Sequence, residues 1–142
     1  MGFRNEKFSY EATEALLGAV RLATEMKFER TNAYHVFLAA LEEGSGGDVE
    51  FLKETGLSSE KIRGIIDELY LARGKSMPEP SFSPPLKAVI DALGTEAHVG
   101  RPKLLRALLL MEPTGSIDRL LILSDIQREK KLEMAERLGA MA

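Results

Sequence analysis

Apolar residues recur along most of this chain at helical spacing, and two short segments stand out by being apolar almost throughout. Residues 34–43, YHVFLAALEE, leave only His35, Glu42 and Glu43 as a narrow polar edge beside Val36, Phe37, Ala39, Ala40 and Leu41. Such a helix is buried on most of its circumference and needs neighbours on several sides. Residues 103–111, KLLRALLLM, are more apolar still. The chain reads as two helical units, each built around its own buried helix.

The other segments are amphipathic. Ala12, Ala15, Leu16, Ala19, Leu22, Ala23 and Met26 keep the helical period behind Ser9, the predicted N-cap, with Ala12 at the third helical position. A polar break at 29–32 leads into the first buried helix, which GSGG at 44–47 ends. Val49, Phe51 and Leu52 mark a short helix over 48–55, stopped at Gly56, a residue suited to a left-handed C-cap. Ile62, Ile65, Ile66, Leu69 and Tyr70 share one face of a helix over 59–72. No stretch alternates as a strand does.

Residues 74–85, GKSMPEPSFSPP, are proline-rich and polar, the composition of a linker or extended crossover. Ser83 and Pro84 then read as N-cap and first helical residue of a helix through Leu86, Val89, Ile90 and Leu93. A turn over 94–100 precedes the second buried helix, which ends at 113–115. Ile117, Leu120, Leu121 and Leu123 predict another short helix, and Ile126, Leu132, Ala135 and Leu138 an amphipathic last one. The helix order and the caps recur: Phe8-Ser9 matches Phe82-Ser83, Ala39 and Leu41 match Ala107 and Leu109, and Val49 and Leu52 match Ile117 and Leu120. A tandem duplication accounts for this, with repeat one at 8–73, a linker at 74–85 and repeat two at 82–142. The expected fold is all-α, about eight helices in two pseudo-symmetric four-helix repeats forming one compact domain.

Composition narrows the function. With 44% hydrophobic and 29% charged residues, the 142-residue chain is that of an ordinary globular domain able to bury a proper core. A net charge of -3 offers no basic surface for nucleic acid or anionic lipid. The absence of cysteine removes disulfides, thiolate metal sites and cysteine nucleophiles. No apolar run approaches a membrane span, and the N-terminal MGFRNEKFSYEA has no signal-peptide core, so the chain reads as cytoplasmic.

Candidate chemistry is sparse. The glycines at 44–47 lack the lysine and hydroxyl of a P-loop. His35 and His98 are too few for a zinc site of their own; His35 reads as a structural histidine bonding a neighbouring backbone, and His98 as solvated. Carboxylate pairs such as Glu42-Glu43 and Glu11-Glu14 sit at helix ends and faces, where solvation is the default. No catalytic, cofactor or metal site is expected. Binding would need apolar side chains at segment edges, and Phe28, Tyr34 and Met77 are the candidates for a protein-binding groove, while Phe8 and Phe82 read as hydrophobic staples.

The order FSYEATEAL, NAYHVFLAAL, a glycine-rich gap and VEFLKETGLSSEKI resembles the Clp N-terminal repeat. FSPPLKAVIDAL, KLLRALLLM and SIDRLLILSDI look like its second copy. The resemblance implies an all-helical, non-catalytic docking module of Clp AAA+ unfoldases such as ClpA, ClpB and ClpC, receiving unfolded substrates or adaptor proteins for an ATPase ring in cis or in trans. It implies a place in protein quality control and regulated proteolysis. The chain departs from the family pattern where Thr-Glu usually precedes the histidine: it has Ala33 and Tyr34, and in the second copy Pro102 and Lys103 replace Glu-His. Those glutamates are associated with phosphoarginine recognition in ClpC-like domains, so that activity is not implied here. The shortened turn before the second buried helix also sets apart any adaptor site of the ClpA kind. A free-standing helical protein that self-associates or holds a small ligand between repeats is the alternative, the apolar 103–111 and 117–123 being the motive for self-association.

Overall fold

The computed structural model describes residues 7–69, 81–96, 98–111, 121 and 124–141. Among these, the helices are α1 (Tyr10–Glu25), α2 (Ala33–Glu43), α3 (Gly47–Glu54), α4 (Ser59–Leu69), α5 (Pro84–Leu93), α6 (Arg101–Leu109) and α7 (Arg128–Met141). The fold is all-α, as the periodicity predicts, and the apolar faces of both halves form one continuous core. Most of the predicted linker at 74–85 and of the short helix at 117–123 lies outside the described residues.

Local chemistry sets the helix ends. Ser9 caps α1, its Oγ accepting from the Ala12 N–H at 3.1 Å. Ser83 takes the N-cap backbone conformation before Pro84, but its hydroxyl makes no cap bond. Helix α1 ends differently from expectation. Lys27 takes a left-handed conformation with φ 64°, and the Phe28 N–H reaches back to the Ala23 carbonyl at 2.8 Å. That six-to-one bond is the Schellman stop, which folds the next residue against the helix it terminates. Glycine fills the corresponding place after α3, where Gly56 has φ 104° and the Leu57 N–H bonds the Leu52 carbonyl.

This turn corrects the reading of Phe28 and Tyr34 as surface residues. Phe28 is 7% exposed and Tyr34 2%. Folded back by the Schellman turn, Phe28 meets the edges of Tyr34 at 6.1 Å and His35 at 4.8 Å between ring centroids. The Tyr34 hydroxyl accepts from the Asn32 amide at 2.9 Å, so its polar end is satisfied inside. Met77 lies outside the described residues.

Burial of α2 goes further than its pattern suggests. Every residue from Ala33 to Leu41 is buried, His35 included. Helix α1 packs along α2 with Gly18 against Ala39, and α3 and α4 close other sides. In the second half, Leu104, Leu105, Leu108 and Leu109 of α6 are buried in the shared core, leaving Leu110 exposed. The apolar run at 103–111 is thus largely satisfied within the chain.

Two short parallel pairings join the halves, and they are reciprocal. Phe8, ahead of α1, bridges Val99, ahead of α6; the Ser9 N–H donates to the Val99 carbonyl at 2.8 Å and the Val99 N–H to the Lys7 carbonyl at 2.7 Å. Arg30–Thr31, ahead of α2, pairs with Ser81–Phe82, ahead of α5, and the Ser83 N–H donates to the Thr31 carbonyl at 2.8 Å. Each connection satisfies backbone groups that would otherwise be orphaned beside the core.

The left-handed Lys27 carries a conformational penalty that glycine avoids. Lys27→Gly is expected to stabilise the domain by roughly 0.5–1 kcal/mol, the steric relief less the freedom glycine returns to the unfolded chain. Urea denaturation checks this; unchanged or lower stability would contradict it.

Candidate functional site

The first turn of α6 and the α2–α3 loop meet at a buried ion pair. Arg101 is 7% exposed and Asp48 5%. The guanidinium donates Nε to Asp48 Oδ2 at 2.7 Å and Nη2 to Asp48 Oδ1 at 2.8 Å, and Nη2 also to the Ser45 carbonyl at 2.6 Å. Such a two-pronged pair is among the stronger side-chain contacts. Hydrogen bonding to Asp48 holds the Arg101 pKa above its ordinary value against the lowering effect of burial, and the charges of Asp48 and Glu11 add to it. Gly44 permits the approach, because a Cβ there would stand 2.5 Å from Arg101 Nη1 and 2.7 Å from the Ala40 carbonyl oxygen.

A cleft of about 230 Å³ opens above this pair. Ala15, Ala39 and Ala40 line it together with Gly44 and Ser45, Arg101 closes one end, and Tyr10, Glu11, Glu14 and Glu43 contribute the remaining wall. Tyr10 is 76% exposed, far more than any other aromatic residue described. Glu43 is ion-paired with Arg21. The arrangement has a narrow apolar floor and a polar rim, which suits a side chain of a partner better than bond-making chemistry.

His35 marks the opposite end of α2. The Asn32 N–H donates to its Nδ1 at 2.9 Å, which places the proton of the neutral ring on Nε2. Nε2 is buried without a hydrogen-bond partner among the described residues. Burial lowers the His35 pKa to about 3. The structural role expected from the sequence, a bond to a neighbouring backbone, is the one observed.

The model of the Clp repeat (R) N-terminal domain matches residues 7–101. The chain belongs to the Clp N-terminal domain family. Comparison with curated proteins finds no match. The family match runs from just before Phe8 to Arg101, the first residue of α6.

Set against the Clp N-terminal pattern, the two expected glutamate positions hold Tyr34, buried, and Pro102, half-buried. Neither supplies a carboxylate to the surface. Of the groove candidates Phe28, Tyr34 and Met77, the first two are held together in the interior, and neither lines the cleft. The sequence reading missed Tyr10 as a surface aromatic and missed the Arg101–Asp48 pair. One signal was available: an arginine opening an apolar helix opposes the helix dipole and calls for a nearby carboxylate. Among the described residues no group of His, Asp or Glu is placed to hold a metal ion, and no helix is long and apolar enough to cross a membrane.

Removing one partner of the buried pair strands the other. Asp48→Leu alone is expected to destabilise the domain by roughly 3–5 kcal/mol, and adding Arg101→Met to restore most of that loss. Chemical denaturation of the single and double variants measures both, and a mild effect of Asp48→Leu would show that the pair does not hold the halves together.

Stability should also fall with acid through His35. Its folded pKa of about 3 lies below the unfolded value near 6.5, so its contribution is complete above that value and is lost as pH falls. Between the two values the slope approaches about 1.4 kcal/mol per pH unit. Between about pH 6.5 and 5, before exposed carboxylates titrate, His35→Gln should flatten the stability profile. An unchanged slope in that variant would assign the acid sensitivity elsewhere.

Proposed function

We propose that this chain is a non-catalytic docking domain that receives protein substrates or an adaptor for a Clp-type AAA+ unfoldase ring, attached in cis or acting in trans. The observation that carries this reading is the family match over residues 7–101. The reading draws further support from a shared core and a side-chain-sized cleft lined from both halves. We also read residues 8–73 and 82–142 as two copies of one unit, because the segment heading the first helix of each lies beside the segment heading the buried helix of the other. A cytoplasmic setting in protein quality control and regulated proteolysis goes with this role.

The departures at Tyr34 and Pro102 argue against recognition of phosphoarginine in the manner of ClpC-like domains. Docking here must use other surface residues. Affinity capture with the chain as bait, followed by mass spectrometry with and without ATP, tests the proposal. Recovery of Clp ring subunits or of an adaptor that bridges to them is expected; recovery of the bait alone at cellular concentrations of the ring would overturn it.

A further inference from the structure

The cleft at the base of α1 and α2 holds two carboxylates that no cation pairs directly among the described residues. Arg101 is answered by Asp48 and Arg21 by Glu43. The side chains of Glu11 and Glu14, one turn apart on α1, make no ion pair or hydrogen bond among the described residues, and Glu11 acts on Arg101 only through the longer-range attraction of its charge. Tyr10 stands beside them with its ring in solvent. At the closed end, Arg101 is more than nine-tenths buried, and its bonds use Nε and Nη2 only. Its Nη1 faces Gly44 and donates to no acceptor among the described residues. The cleft therefore offers free carboxylates and an aromatic face at its mouth and a fixed donor at its closed end. Its floor is of methyl groups from Ala15, Ala39 and Ala40.

We propose that this cleft takes a lysine or arginine side chain from an extended segment of the docked protein. The aliphatic stem lies over the alanines, as long cationic side chains cover apolar surface while keeping the head near water. The cation sits between Glu11 and Glu14 and against the Tyr10 ring, where carboxylate and π-face both attract it. A backbone carbonyl of the same segment accepts from Arg101 Nη1. Placing both a cation and an acceptor uses the two free functions of the cleft together, which a purely anionic or purely apolar ligand does not. The site lies at the C-terminal end of α2, whereas Tyr34, which stands where the family pattern has its glutamate, lies at the other end. The inference rests on the docking reading but specifies what is read.

The test titrates the isotopically labelled chain with a blocked Gly/Ser peptide carrying a single central lysine, followed by amide resonances in NMR. The same peptide with arginine, and with uncharged norleucine, serves for comparison. Lysine and arginine peptides are expected to shift Tyr10, Gly44 and Ser45, weakly at high salt, while the norleucine peptide leaves them unmoved. The exposed double variant Glu11→Gln/Glu14→Gln, which keeps the fold, should weaken lysine-peptide binding by roughly fivefold or more. Equal shifts with norleucine, no shifts at the cleft, or wild-type affinity in the double variant would each overturn the proposal. Capture of a Clp ring by a chain that ignores the lysine peptide would overturn this inference and leave the docking role standing. A lysine peptide bound in the cleft of a chain that captures no ring would overturn the docking role and leave the chemistry of the cleft standing.

Discussion

A helix with no face to solvent must be walled on every side, and α2 imposes that constraint on the rest of the molecule. From Ala33 to Leu41 all its side chains are buried, so α1, α3 and α4 are required neighbours, and the second half extends the same core. The constraint reaches into side-chain chemistry. Burying His35 at the first turn is tolerable only while the ring is neutral, and the Asn32 N–H at Nδ1 stabilises that form. Tyr34 is accommodated in the same way, its hydroxyl accepting from the Asn32 side-chain amide. A position that the family pattern gives to a carboxylate thus holds an aromatic ring turned inward.

Beyond the shared apolar core, backbone pairings and a buried ion pair join the halves. The short parallel pairings at Phe8–Val99 and Thr31–Phe82 use backbone groups alone and so place little demand on sequence. The Arg101–Asp48 pair is specific, since its geometry needs a planar, two-pronged donor and a glycine at position 44 to admit it. A buried ion pair is a poor source of net stability, but it fixes the register of the parts it connects because any misalignment leaves a charge unanswered. Here the parts are the first turn of α6 and the start of α3, and the cleft between α1, α2 and Arg101 is the space their alignment leaves. Stability and the candidate site are coupled through one side chain.

The polar groups of the cleft and of the core differ in their exposure to water. The carboxylates on the cleft are exposed, and His35, whose titration burial strongly perturbs, is sealed in the core away from it. Elsewhere among the described residues, polar side chains lie on solvated helix faces, such as Lys87 paired with Asp91 on α5.

Much of the fold was legible in the sequence because periodicity and caps are local properties. Ser9 and Ala12, the GSGG stop, Gly56 and the Ser83-Pro84 start all depend on neighbours a few residues away, and each falls where the helix it bounds requires. The family pattern, read from FSYEATEAL and NAYHVFLAAL, is local in the same sense and matched accordingly. The structure alone decided which apolar edge residues face inward. Phe28 is hidden because Lys27 adopts a left-handed turn, a choice that sequence assigns by default to glycine. The cleft was not legible for a further reason. Tyr10, Glu11 and Glu14 belong to one turn of α1, but Ala39 and Ala40 come from another helix and Arg101 from the far half of the chain. A pattern along one helix fixes which face is apolar; only packing between distant segments fixes which charges are neutralised and which are left to a partner.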